Sequence, residues 1–60
     1  MWERYNLMGQ NSMNQGKPAD AEAHFRLAIA EAEKMDAKDP KLPISLNNLA
    51  NCLRMQGKYA

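Results

Sequence analysis

The sequence predicts an all-α fold of about three helices, arranged as antiparallel helix–turn–helix units. Three observations carry this. Apolar and small residues recur at intervals of three and four, the period of one face of a helix. Two glycines, Gly16 and Gly57, stand where two of these stretches end, and only glycine takes the left-handed C′ position without strain. The third observation is an internal repeat. Tyr5, Met8, Gly9, Ser12, Gly16, Lys17 and Ala19 are matched by Leu46, Leu49, Ala50, Leu53, Gly57, Lys58 and Ala60, each pair 41 residues apart. Residues 1–41 read as one full repeat, and residues 42–60 as the first helix of a second, truncated one.

The first helix is expected over residues 2–15. Trp2, Tyr5, Met8, Gly9 and Ser12 form its stripe, with Met8 as core filling. Gly9 and Ser12 are small enough for another helix to approach closely. A glycine inside a helix costs roughly 0.5–1 kcal/mol relative to alanine, so close packing is the expected compensation. Gly16, Lys17 and Pro18 make the turn. Pro18 suits the first turn of the next helix, where its missing N–H has no partner to lose.

The second helix is expected from Ala19 to about Lys38, in a stretch rich in Ala, Glu, Leu and Lys. Ala21, Phe25, Ala28, Ala32 and Met35 form one apolar stripe, and Ala23, Leu27 and Ala30 a second. Two stripes predict a helix packed between two neighbours. Asp20 and Glu22 near its start, and Lys34 and Lys38 near its end, suit the helix dipole. Pro40 and Pro43 then stop this helix and start the third, with either in its first turn. The third helix is expected from about Leu42 to Gln56, with Leu46, Leu49, Ala50 and Leu53 on one face. Asn47, Asn51 and Arg54 lie on a neighbouring stripe. No second-repeat partner follows to cover the apolar flank of this helix. The expectation is therefore either a piece of a longer array or a chain that self-associates.

Composition narrows the function. Sixty residues make one small domain, and aromatics are only 7%, so Leu, Ala, Met and Ile must build the core. A net charge of +1 gives no footprint for nucleic acid or an anionic membrane. No apolar run approaches the roughly 20 residues of a membrane span, and no charged and apolar leader opens the chain. The single Cys52 allows no internal disulfide, which fits a reducing, cytoplasmic setting. Six of the seven acids fall between residues 20 and 39, leaving the flanking segments acid-poor and rich in amides. His24 has no second histidine or nearby cysteine, so no metal set is expected. Asp36 and Asp39 lack the glycine and alternating ligands of a calcium loop. Ser45 has no glycine elbow or histidine partner. No basic cluster or helix N-terminus predicts a lowered pKa at Cys52. The chain reads as a non-enzyme with no cofactor.

The residues resemble the tetratricopeptide repeat, an α-solenoid family. Met8, Gly9, Gly16, Ala21, Phe25 and Ala28 meet its pattern in the first copy. Leu49, Ala50, Leu53, Gly57, Lys58 and Tyr59 meet it in the second. The ordinary repeat is about 34 residues. The longer period here, with Lys38, Asp39 and Pro40 before Leu46, Asn47, Asn48, Leu49 and Ala50, is similar to the long repeats of kinesin light chains and their bacterial relatives. Ser12, where the family favours an aromatic, and Pro18, where Tyr is common, depart from it. The resemblance implies a protein–protein interaction scaffold whose first helices line a concave face. Carried onto this chain, the partner-binding residues are Asn6, Gln10, Met13 and Asn14, then Asn47, Asn51, Arg54 and Met55. A carboxamide offers both donor and acceptor to a peptide backbone, and Arg54 offers a fork for a carboxylate. Met13 and Met55 add adaptable apolar surface. The expected partner is a protein or peptide. The alternative is a homo-oligomer that completes the missing half-repeat by helix packing or exchange.

Overall fold

Helix ends are set by local chemistry, and the first is complete at the atomic level. In the computed structural model, which describes residues 1–57, α1 spans Trp2–Asn14 and closes at Gln15. Gly16 takes φ +74°. Its N–H donates to Met13 O at 3.0 Å, and the Lys17 N–H donates to Ser12 O at 2.8 Å. These two bonds satisfy carbonyls that the helix end would otherwise leave open. Pro18 opens α2 (Pro18–Ala32), as its fixed φ and missing N–H favour. The third helix, α3 (Lys41–Met55), has Pro40 as N-cap and Pro43 in its first turn. Gly57 repeats the left-handed ending at φ +71°, with its N–H on Arg54 O at 3.0 Å. Lys58, Tyr59 and Ala60, which carry the rest of the second motif, lie outside the described residues.

The second helix stops six residues before the expected Lys38. Lys34 and Met35 donate to Glu31 O and Ala32 O, tightening the last turn. Asp36 Oδ1 then accepts the Lys38 N–H at 2.8 Å, and Asp39 Oδ1 accepts the Lys41 N–H at 2.9 Å. Aspartates that bond their own backbone two residues on compete with helix, which overrides the propensity of the surrounding residues. Lys34 and Lys38 therefore lie beyond the helix rather than in its last turn.

Helices adjacent in sequence pack antiparallel, and the first and third run parallel. Trp2 packs with Ala28 and Ala32, while Met13, further along α1, packs with the earlier Ala21 and Phe25. So α1 and α2 are antiparallel. Gln56 at the end of α3 donates to Pro18 O and Glu22 Oε1 at the start of α2, while Leu42 joins the Trp2–Ala28–Ala32 cluster. So α2 and α3 are antiparallel too. Between α1 and α3, Trp2 Nε1 donates to Ser45 Oγ, Asn48 Nδ2 donates to Asn6 Oδ1, and Cys52 Sγ meets Met13 Sδ. Residue numbers rise together on both helices, so α1 and α3 run side by side in the same direction, with α2 behind them. The Cα atoms occupy 31 × 25 × 13 Å, about the thickness of two packed helices.

The core is narrower than the apolar stripes. Ala21, Phe25, Ala28 and Ala32 are buried as the first α2 stripe predicts, and Met35 packs against the Trp2–Ala28–Ala32 cluster. The second stripe does not pack: Ala23, Leu27 and Ala30 are exposed. One face of α2 serves both neighbours, because α1 and α3 straddle it from the same side. Met8 is exposed rather than core, lying on the α1 flank away from α3. On α3 the buried residues are Ser45 and Cys52, with Leu49 and Leu42 half-buried beside them. Leu46 is 49% exposed and Ala50 is exposed. The α3 face is turned by one position because Trp2 takes Ser45 as its hydrogen-bond acceptor, and Ser45 Oγ donates in turn to Lys41 O at 2.8 Å.

This distinction gives a paired prediction. Leu49→Asp puts a carboxylate against Ala21, Phe25 and Cys52, a cost of about 3 kcal/mol. Leu46→Asp changes an exposed position and stays within about 0.5 kcal/mol. Thermal melts followed by far-UV circular dichroism should separate them clearly. Equal melts would mean that the buried face of α3 is misassigned.

Candidate functional site

The parallel pair α1 and α3 leaves a groove between them. Gln10, Met13 and Asn14 line it from α1, Asn48 and Asn51 from α3, and Phe25 of α2 reaches it from behind. Its volume is about 240 Å³. The α1 residues stand at i, i+3 and i+4, and the α3 residues at i and i+3, so each set shares one helical face. The Phe25 ring reaches forward because Gly9 has no side chain; a β-carbon there would stand 2.5 Å from Phe25 Cε1.

Four of the residues carried over by resemblance meet in this groove: Gln10, Met13, Asn14 and Asn51. Asn6 sits one turn earlier, half-buried, and its Oδ1 accepts Asn48 Nδ2 at 2.7 Å. Asn47 and Arg54 are exposed on α3 and do not line the groove, and Met55 is 60% exposed near the helix end. Sequence reasoning missed Asn48 and Phe25. Asn48 has a visible signal, since its register on α3 matches Asn6 on α1 almost residue for residue. Phe25 has none, because its access depends on the gap left by Gly9 on another helix.

The hydrogen bond from Asn48 fixes its carboxamide, leaving Oδ1 free as an acceptor. Within the described residues the side-chain amides of Gln10, Asn14 and Asn51 make no hydrogen bond. The groove thus carries open donors and acceptors over an apolar floor of Phe25 and Met13.

Behind Met13, Cys52 is fully buried, with its Sγ 3.4 Å from Met13 Sδ. Burial pushes the thiol above its ordinary 9.0, and the negative charge of Glu22 adds to the rise. An acid whose pKa is raised on folding stabilises the fold below the unfolded value and loses that contribution as pH climbs past it. Stability should therefore fall above about pH 9, where the unfolded chain ionises first. Cys52→Ala should flatten that part of the profile, read as melting temperature against pH from 8 to 10.5. An unchanged slope would remove the thiol as its source.

His24 Nδ1 is buried without a hydrogen-bond partner, on the half-buried side of α2. Among the described residues no group of three or more His, Cys, Asp or Glu is arranged to hold a metal ion. No helix of the described residues is long and apolar enough to cross a membrane. Comparisons with protein-family models, curated proteins and solved structures return no match.

Proposed function

We propose that this chain is an interaction module of the tetratricopeptide type, which takes a segment of a partner protein along the face shared by α1 and α3. One observation carries the reading. Two parallel helices, backed by a third, hold a groove edged by carboxamides with unused hydrogen-bonding capacity. Such groups match the main chain of a peptide, which presents a donor and an acceptor at nearly every residue. The parallel pairing of α1 and α3 also supports the repeat, since stacked equivalent helices run in the same direction.

The test is selection of a random dodecapeptide phage library on the immobilised protein, beside a Gln10→Ala, Asn51→Ala variant. Neither side chain has a hydrogen-bond partner among the described residues, so the variant should keep the wild-type circular dichroism and melt. Peptides retained at least tenfold better by the wild type are the expected result. An empty selection, or equal retention on both proteins, would sink the proposal.

A second reading is self-association through the outer flank of α3. Leu46 and Ala50 are exposed beside half-buried Leu53, a continuous apolar strip that neither α1 nor α2 covers. Sedimentation from 5 to 500 µM decides it. A monomer throughout removes this reading, and a mass that falls on Leu46→Asp supports it.

A further inference from the structure

We infer that the groove selects an uncharged, extended peptide segment carrying one bulky apolar side chain, which inserts between α1 and α3 onto Phe25 and Met13. The inference rests on the peptide-binding reading and adds the chemistry of the ligand. Charge is the first ground. Neither residues 5–16 nor residues 42–53 contain a single Asp, Glu, Lys, Arg or His, and none of the six lining residues is ionisable. Apart from Glu3 in the first turn of α1, the acids sit on α2 and the loop after it, and Arg4, Lys41 and Arg54 flank the groove's two walls. A charged segment would lose hydration on entry and meet no counter-charge there. Neutral carboxamides give it back only part of what water supplied.

Size is the second ground. A volume of about 240 Å³ lies below the range of pockets that enclose whole drug-sized ligands, and it suits one large side chain. Its floor is the ring of Phe25, itself only 2% exposed, and the thioether of Met13. A thioether adapts to branched and aromatic shapes alike, so Leu, Ile, Met and Phe all fit. Ala leaves the half-buried Met13 thioether uncovered.

Spacing is the third ground. Gln10 and Asn14 are about 6 Å apart along α1, and Asn48 and Asn51 about 4.5 Å apart along α3, at 1.5 Å per residue. An extended chain repeats its side about every 6.6 Å. Gln10 and Asn14 can therefore grip alternate peptide units on either side of the inserted residue. Asn48 is already held by Asn6 with its carbonyl free, so it offers an acceptor to a peptide N–H.

The test uses four capped nonapeptides with one Ser/Gly/Gln frame and a central Leu, Ala, Glu or Lys, titrated into ¹⁵N-labelled protein. The expected result is at least tenfold tighter binding of the Leu peptide than of the other three. The side-chain amide peaks of Gln10, Asn14, Asn48 and Asn51 should move with it. Asn51→Asp, which keeps shape and adds charge, should weaken the Leu peptide about tenfold while the melt is retained. Glu or Lys binding as tightly at the same amides would overturn the inference and leave the broader peptide-binding reading standing. Silence from all four peptides at millimolar concentration would overturn it as well, with the phage selection then deciding the broader reading independently. Shifts confined to the Leu46–Ala50 flank would overturn both.

Discussion

Phe25→Ala is expected to abolish cooperative unfolding at 25 °C. Phe25 is 2% exposed and is the largest fully buried side chain. It packs with Ala21 and Cys52, with Met13 and Leu49 against the same cluster, so all three helices meet on it. Truncating a buried Phe costs about 3–5 kcal/mol, the lost transfer energy plus the cavity that remains. A chain of this length has roughly 3–9 kcal/mol in total at about 0.05–0.15 kcal/mol per residue. Alanines on the α2 face cannot close in to fill the space. The variant should show weak helical circular dichroism and a broad, sloping melt. A sharp transition within 10 °C of wild type would show that Phe25 does not hold the three helices together.

Gly9→Ala should destabilise by about 2 kcal/mol, against the direction of helix propensity. On propensity alone the change gains roughly 0.5–1 kcal/mol. The structure reverses the sign. The new β-carbon would lie 2.5 Å from Phe25 Cε1 and 2.7 Å from both Cδ1 and Cζ, inside any normal contact distance. The ring cannot retreat, because Ala21 and Cys52 stand beside it with no exposed surface. Overpacking of this kind costs about 1–3 kcal/mol. For a domain this small, 2 kcal/mol corresponds to a drop of about 8–16 °C in melting temperature. Phe25→Leu removes the outer ring atoms and so should relieve the clash. In that background Gly9→Ala should be neutral or stabilising, a coupling that a double-mutant cycle reads directly. Additive effects would contradict the close Gly9–Phe25 approach.

The helices were legible because their signals are local. Gly16 and Gly57 end α1 and α3 in the left-handed conformation, and Pro18 opens α2, all from chemistry within a few residues. The α2 stripe of Ala21, Phe25, Ala28 and Ala32 was also legible, since small residues around one aromatic leave a single face able to pack closely. The end of α2 was less so. Two aspartate turns outcompete a helix-favouring composition, and their geometry depends on where Lys38 and Lys41 fall. Four of the six lining residues of the candidate site were in view, Gln10, Met13, Asn14 and Asn51, whereas Asn6 sits one turn away and Asn47, Arg54 and Met55 stand apart from the groove.

The sequence by itself determined that this protein is all-helical, that Gly16 and Gly57 end two of its helices, and that its charges leave α1 and α3 almost untouched. Those properties depend on backbone conformation, periodicity and composition, each settled over one or two turns of chain. Only the tertiary structure decided which side of each stripe is core. Ser45 is buried and Leu46 is not because Trp2, 43 residues away, donates to the serine. Leu27 and Met8 stay in solvent because α1 and α3 straddle one face of α2. The groove itself belongs to this second class: its walls come from two helices, its floor from a third, and its depth from a glycine that lets the floor through.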